Sequence, residues 1–491
     1  MSRLLSLRRP TGIGPVLRIL AVLLLVLAAI MLLPLVLLIL EHSADVMAFV
    51  VAFGITVGAA GLLLFMTRHV PVELRPRQMF ILTTSSWVVL SAFASLPLML
   101  GATHLSPTDA VFETVSAITT TGSTVLVGID HLSDGIKLWR GLMQWLGGIG
   151  IIVMAIAILP FLQVGGMRLF QTESSDWSDK ILPRANTVAK AIGLVYLGFS
   201  LVAVISYLLA GMLPLDAVVH AMSSVATGGF ANYDVSFGRY ADQPLILWLG
   251  ILFMLCGALP FVLYIQMLRQ RSLAIWQDQQ VRGLLLLLAV SIVLLSLYRM
   301  LRGVPPFEAV TSVAFNVVSI VTTTGYASDD YTLWGPFAVA VFFYLTFIGG
   351  CSGSTSGGMK VFRFQIGLIM LINQLRHLVH ASGVFAQRYN GRMLTDEVVR
   401  AVIAFSFFFF FTVGTLTLGL ALMGLDLVTA LSGAATSVAN VGPGLGSTIG
   451  PAGNFSSLPD AAKWMLCVGM LMGRLEILTV LVLLTPTFWR K

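Results

Sequence analysis

Apolar residues in this chain run in two lengths. Ten long stretches fall at about residues 13–40, 47–66, 79–100, 137–162, 188–212, 244–267, 283–301, 333–375, 398–423 and 461–484. Each matches or exceeds the roughly 20 residues that cross a bilayer at about 1.5 Å of rise apiece. Four short stretches lie between them, at 106–118, 215–225, 306–320 and 426–438. Eleven to fifteen residues reach only about halfway across, so each short stretch enters the membrane and turns back. Irregular backbone at that depth is tolerated only where protein or water surrounds it. Four turning points in one chain predict that they surround water together.

The expected fold is therefore an all-α polytopic membrane protein with ten spans and four re-entrant half-helices. The first two spans, joined by Glu41-His42-Ser43-Ala44-Asp45, carry no charged residue at mid-depth and form a peripheral hairpin over residues 1–77. From residue 78 one unit recurs: span, hinge, half-helix, glycine stretch, returning span. The units cover 78–183, 184–280, 281–394 and 395–491.

Each half-helix runs into a short polar and glycine string. The four are Thr119-Thr120-Thr121-Gly122, Val225-Ala226-Thr227-Gly228, Thr322-Thr323-Thr324-Gly325 and Ala439-Asn440-Val441-Gly442, with glycines 106, 97 and 117 residues apart. Aligned on the glycine, Phe112 and Ser116 match Phe315 and Ser319, while the second and fourth units keep little beyond the glycine. A protein passing a dehydrated cation must replace its water shell, and rings of backbone carbonyls do so without a fixed charge that traps the ion. Glycine supplies the dihedrals that let successive carbonyls point one way, and threonine adds hydroxyl oxygens. The candidate ion-binding residues are Thr120, Thr121, Gly122, Ala226, Thr227, Gly228, Thr323, Thr324, Gly325, Asn440, Val441 and Gly442. Asp109, Asp216, Glu308 and Asp426 start the half-helices, where they would either concentrate cations at the mouth or cap the helices.

The third returning span cannot be regular. Between Ile348 and Lys360 stand Gly349, Gly350, Cys351, Ser352, Gly353, Ser354, Thr355, Ser356, Gly357 and Gly358, and each glycine costs a helix up to about 1 kcal/mol relative to alanine. The run lacks the G-K-[ST] ending of a phosphate loop. Arg474 lies thirteen residues into the last span, where an arginine is costly unless it meets water or free carbonyls. Residues 349–358 and Arg474 are read as a gate under the filter, with Glu476 a potential partner for Arg474.

Composition agrees. The chain is 57% hydrophobic and 10% charged, against about 25% charged in soluble domains. The basic start resembles a signal peptide, but residues 13–40 are too long for its apolar region. Of the 29 Lys and Arg residues, 22 fall in segments 1–18, 68–78, 160–190, 264–282, 360–400 and the last two positions, and 14 of the 22 acids fall in the opposite loops. That bias places both termini in the cytoplasm and assigns the +7 net charge to membrane topology rather than nucleic acid. Segments 166–190 and 360–400 are basic enough to meet anionic lipid or a soluble partner. Cys256, Cys351 and Cys467 are too scattered for a disulfide framework or zinc site, and no intramembrane His, Asp or Cys cluster suggests an enzyme.

From residue 78 to 489 the chain resembles the Trk-type potassium uptake proteins and their Ktr and HKT relatives. The resemblance rests on the four filter strings, on Gln144-Trp145-Leu146-Gly147-Gly148-Ile149-Gly150, on the glycine-rich run ending at Gly358-Met359-Lys360, and on Gly473-Arg474-Leu475-Glu476. The N-terminal hairpin resembles the TrkH branch. The fourth string departs most, since Asn440-Val441-Gly442-Pro443 carries no threonine. The resemblance implies potassium as the transported ion with no bound cofactor, a bacterial inner membrane, a homodimer, and a cytosolic ring of TrkA-type nucleotide-binding subunits. In the relatives, serine at the first filter glycine goes with sodium passage; here Gly122 is intact. The alternative is a sodium- or proton-coupled secondary cation transporter using the break at 349–358 as its substrate site.

Overall fold

The computed structural model describes residues 12–72, 74–157, 185–270 and 274–490. Most of segment 166–190, and the end of the first returning span beyond residue 157, lie outside the described residues. Within the described residues, each long apolar stretch falls on a helix or a broken helix. Among the described residues, six are long and apolar enough to cross a membrane singly: Gly14–Leu40, Val46–Met66, Pro76–Leu100, Val188–Leu209, Gln279–Met300 and Asp396–Leu422. The first returning helix is Asp134–Ala157.

The four half-helices are Pro107–Ile118, Pro214–Ala226, Pro306–Val321 and Leu427–Ala439. Proline at the first helical position starts three of them, where its missing N–H has no helical partner to lose. In the fourth, the Asp426 carboxylate accepts from the Thr429 amide instead.

Among the described residues three returning helices are broken, not one. The second bends by 91° between Pro244–Ala258 and Phe261–Arg269, and the fourth by 113° between Asp460–Arg474 and Ile477–Leu484. The second break contains Pro260, which has no N–H to give a continuing helix. The fourth contains Glu476, whose φ of 62° is left-handed. The third stops at Thr346 and resumes at Val361, where Ile348 and Gly349 pair in parallel with Met359 and Lys360.

Packing runs in a circle. The half-helices of units 2, 3 and 4 each pack on the returning helix of the unit before, and that of unit 1 packs on the last returning helix, Asp460–Arg474. The N-terminal hairpin lies outside this circle, Gly14–Leu40 resting on Pro76–Ala94 and Asp134–Ala157. The half-helix ends are wholly buried, from Phe112 to Thr121 in unit 1 and from Val313 to Thr324 in unit 3. The inner ends of the half-helices are thus the centre of the molecule.

A buried ion pair ties unit 1 together. Glu113 and Arg140, exposed by 1% and 2%, meet at 2.9 Å. Glu113 also accepts from the Thr124 hydroxyl and the Val125 amide, and Arg140 donates to Ala231 O and lies over the Phe230 ring. Removing one partner of such a pair leaves a buried charge uncompensated, at a cost of about 3–5 kcal/mol. Glu113→Gln is expected to lower the thermal midpoint of the detergent-solubilised protein markedly; an unchanged midpoint would show the pair to be dispensable.

Candidate functional site

Four residues at the half-helix ends share a left-handed backbone: Thr120, Thr227, Thr323 and Asn440, with φ of 50°, 50°, 59° and 54°. Two residues on, Gly122, Gly229, Gly325 and Gly442 have φ of 85°, 83°, 83° and 113°. Between each pair, the amides of Thr121, Gly228, Thr324 and Val441 donate back to the carbonyls of Ser116, Ser223, Ser319 and Thr436 at 2.8–3.0 Å. The second unit is therefore one residue out of the expected register. Its strand is Thr227-Gly228-Gly229, and Ala226 is the last residue of the half-helix. The shared pattern is polar residue, any residue, glycine. The adjacent glycines at 228 and 229 hid it, although the spacing is present in the sequence.

A left-handed threonine is strained, by about 1–3 kcal/mol, and two of the three are held from outside their own strand. Thr227 donates to the Thr355 hydroxyl at 3.1 Å, and Thr323 accepts from the Gly357 amide at 2.6 Å. Asn440, which tolerates this conformation better, donates to the Thr121 hydroxyl and to Met470 O. Thr120 Oγ1 and Asn440 Oδ1 are buried acceptors with no partner among the described residues.

The strands close on one another. A β-carbon on Gly122 would meet Gly228 O, one on Gly229 would meet Thr324 O, one on Gly325 would meet Val441 O, and one on Gly442 would meet Thr121 O, each nearer than 3.0 Å. Four contacts taken in order return to the start, so the glycines form a ring. Above them opens a vestibule lined by all four glycines together with Ser123, Thr124, Arg140 and Asp234.

Most acids expected at the mouth are engaged elsewhere. Asp109 pairs with Lys463 at 2.6 Å, and Asp216 accepts from Asn232, Tyr233 and Tyr240. Asp426 caps its helix, and the Thr429 hydroxyl and amide hold its carboxyl below the usual range. Glu308 sits in the exposed first turn of its half-helix.

The broken third helix lies directly beneath the ring. Ser356 donates to Thr322 O at 2.7 Å, and the Thr355 hydroxyl lies within hydrogen-bond distance of both Gly257 O and Val225 O, at 2.9 and 3.1 Å. A side chain at Gly357 would strike Ala439 O. The loop is also pinned to the break in the second helix, through Cys351 N to Ala258 O and Phe261 N to Gly353 O. Residues 349–358 thus touch the filter ends of units 2, 3 and 4. Arg474 donates to Thr355 O at 2.8 Å, and its Nε and Nη2 are buried without partners among the described residues. Glu476 does not pair with Arg474. It bonds Arg363 at 2.7 Å, because the left-handed turn at Glu476 aims it at the helix that follows the loop.

One line of hydrogen bonds leaves the loop for the surface. Ser352 N donates to Gln280 Oε1. The neighbouring Asp278 caps Gln280 and Val281 and accepts from Asn390, which lies in the turn joining Arg388–Tyr389 to Arg392–Met393. Burial pushes the Asp278 carboxyl above the usual range, opposed by those amide bonds.

Comparison with known proteins gives one answer. Residues 45–491 match the family model described as TrkH, cation transport protein. The chain is 67% identical to the Trk system potassium uptake protein TrkI of Halomonas elongata, over 97% of each chain. It is 41% identical to TrkH of the same organism, over 97% of this chain and 99% of the relative. The crystal structure of the potassium transporter TrkH from Vibrio parahaemolyticus superposes with a TM-score of 0.89 at 34% identity, covering 97% of this chain and 99% of that one.

Proposed function

We propose potassium uptake as the function, on the premise that the chain belongs to the TrkH family of cation transport proteins. The cation enters from the vestibule, sheds water at the ring of Gly122, Gly229, Gly325 and Gly442, and is carried by the oxygens of the four strands. Each half-helix points its negative end at the ring, and an interior-negative membrane supplies about 2.3 kcal/mol per charge per 100 mV. The single observation that carries this reading is the closed order of contacts between each glycine and the next strand's carbonyl.

The loop at 349–358 and Arg474 act as the gate. The loop sits across the way out of the filter, and Arg474 adds positive charge where a cation must pass. A homodimer on a cytosolic nucleotide-binding ring belongs to the same proposal; the turn at Asn390, two hydrogen-bonded steps from Gln280, gives such a ring a handle on the loop. Coupled transport is the weaker reading, because Glu113 and Glu476 are each paired with an arginine and Asp216 is held by Asn232, Tyr233 and Tyr240.

The test is rubidium uptake in cells lacking their own potassium importers. Potassium is expected to compete at far lower concentration than sodium, and equal competition would overturn the proposal.

A further inference from the structure

Two of the ring's four strands carry an internal threonine lock. In units 1 and 3, threonines on either side of the left-handed residue bond each other: Thr119 to Thr121 at 2.7 Å and Thr322 to Thr324 at 2.8 Å. Unit 2 has Ala226 and Gly228 at those positions and therefore no hydroxyl to offer. Two successive glycines there would leave the strand the least constrained of the four.

Gln144 occupies the gap. It comes from the returning helix of unit 1 and is fully buried. Its Nε2 donates to Gly228 O at 2.5 Å, and its Oε1 accepts from the Phe230 amide at 3.1 Å and the Ser223 hydroxyl at 2.7 Å. Gly228 O can only accept and Phe230 N can only donate, so the amide's orientation is dictated by its partners. These bonds grip the strand immediately before and after Gly229. A β-carbon on Gly228 would lie 2.5 Å from Gln144 Cδ and Oε1; the side-chain amide stands where units 1 and 3 carry threonine.

We propose that Gln144 is the positioning residue of the second filter strand and a determinant of ion preference, its amide substituting for the missing threonine lock. The inference rests on the reading of the glycine ring as the ion path. With the grip lost, Gly228 O is free to turn, the site is no longer held at one size, and the smaller sodium ion is admitted.

The test uses purified full-length protein in liposomes, reading rubidium uptake against potassium and sodium as competitors. Gln144→Leu is expected to lower the potassium-over-sodium preference roughly tenfold, on the scale of one buried hydrogen bond left unmade. Gln144→Met, which keeps the length but has no donor for Gly228 O, is expected to lower it at least as far. Gln144→Ala combined with Ala226→Thr and Gly228→Thr rebuilds the lock of units 1 and 3 and is expected to recover much of the preference, a rescue that a merely space-filling residue would not show. Should the Gln144 variants fail to insert, Gly228→Ala pushes the same amide out from the other side and is expected to give the same loss. Gly122→Ser serves as the control for the ring itself and is expected to lower rubidium uptake as well as to admit more sodium, because its φ of 85° and the nearby Gly228 O oppose a side chain there as at Gly229. A wild-type preference in Gln144→Leu or Gly228→Ala, with Gly122→Ser shifted, overturns the role of Gln144 alone. An unshifted Gly122→Ser would overturn the ring as the ion path.

Discussion

Gly229→Ala is expected to abolish rubidium uptake, by more than about a hundredfold, whereas Gly228→Ala keeps conduction and loses preference. The two positions are adjacent but their backbones differ. Gly229 has a φ of 83°, and a β-carbon there runs into Thr324 O. The conformation alone costs an alanine about 1–2 kcal/mol, and the collision is with main chain that cannot rotate aside. Either the strand shifts, which breaks the ring, or the carbonyl of unit 3 turns from its place. Gly228 lacks a positive φ, and the three atoms nearest its β-carbon all belong to the Gln144 side chain rather than to main chain. Uptake assays on the pair, with membrane expression matched, check this directly. Equal effects at 228 and 229 would return the second strand to the register centred on Gly228.

Arg474→Ala is expected to raise uptake about tenfold or more. One charged hydrogen bond, to Thr355 O at 2.8 Å, joins the last helix to the loop, and bonds of this class contribute about 1.5–3 kcal/mol. Thr355 is also the loop residue that reaches Val225 O and Gly257 O, so its release frees the contact between loop and filter. The positive charge leaves the path at the same time. Arg474→Lys keeps the charge and one donor and should fall between. Uptake unchanged or reduced in Arg474→Ala, at normal expression, would remove Arg474 from the gate.

The parts of this architecture that were legible in the sequence are those with a local cause. Half-length apolar stretches opened by Pro107, Pro214, Pro306 or Asp426 read as half-helices because length and caps are local properties. The interruption at 349–358 was legible for the same reason, since five glycines in ten residues cannot hold a helix. The register of the second strand was obscured by aligning on the first glycine of a pair. The left-handed residue two positions earlier, threonine in three units and asparagine in the fourth, marks it correctly. The 91° bend at Pro260 was not legible, because a proline inside a long apolar run is equally compatible with a kinked continuous span.

Pairings across the fold were not legible at all. Glu476 stands two residues from Arg474 but bonds Arg363, 113 residues away. Asp109 looked free to attract cations and is held by Lys463, 354 residues on. Gln144 belongs to a string that identified the family without revealing what its amide does. Each contact exists only where one unit packs on another: unit 4 on unit 3 for Glu476, unit 1 on unit 4 for Asp109, and unit 1 on unit 2 for Gln144.

The most direct measurement is anomalous scattering from rubidium-soaked crystals of the protein. The ring requires a peak on the common axis, among the carbonyl oxygens of Thr121, Gly228, Thr324 and Val441, above the loop at 349–358. Rubidium bound elsewhere, with that axis empty or with any of Gly122, Gly229, Gly325 and Gly442 turned away from it, would contradict the account.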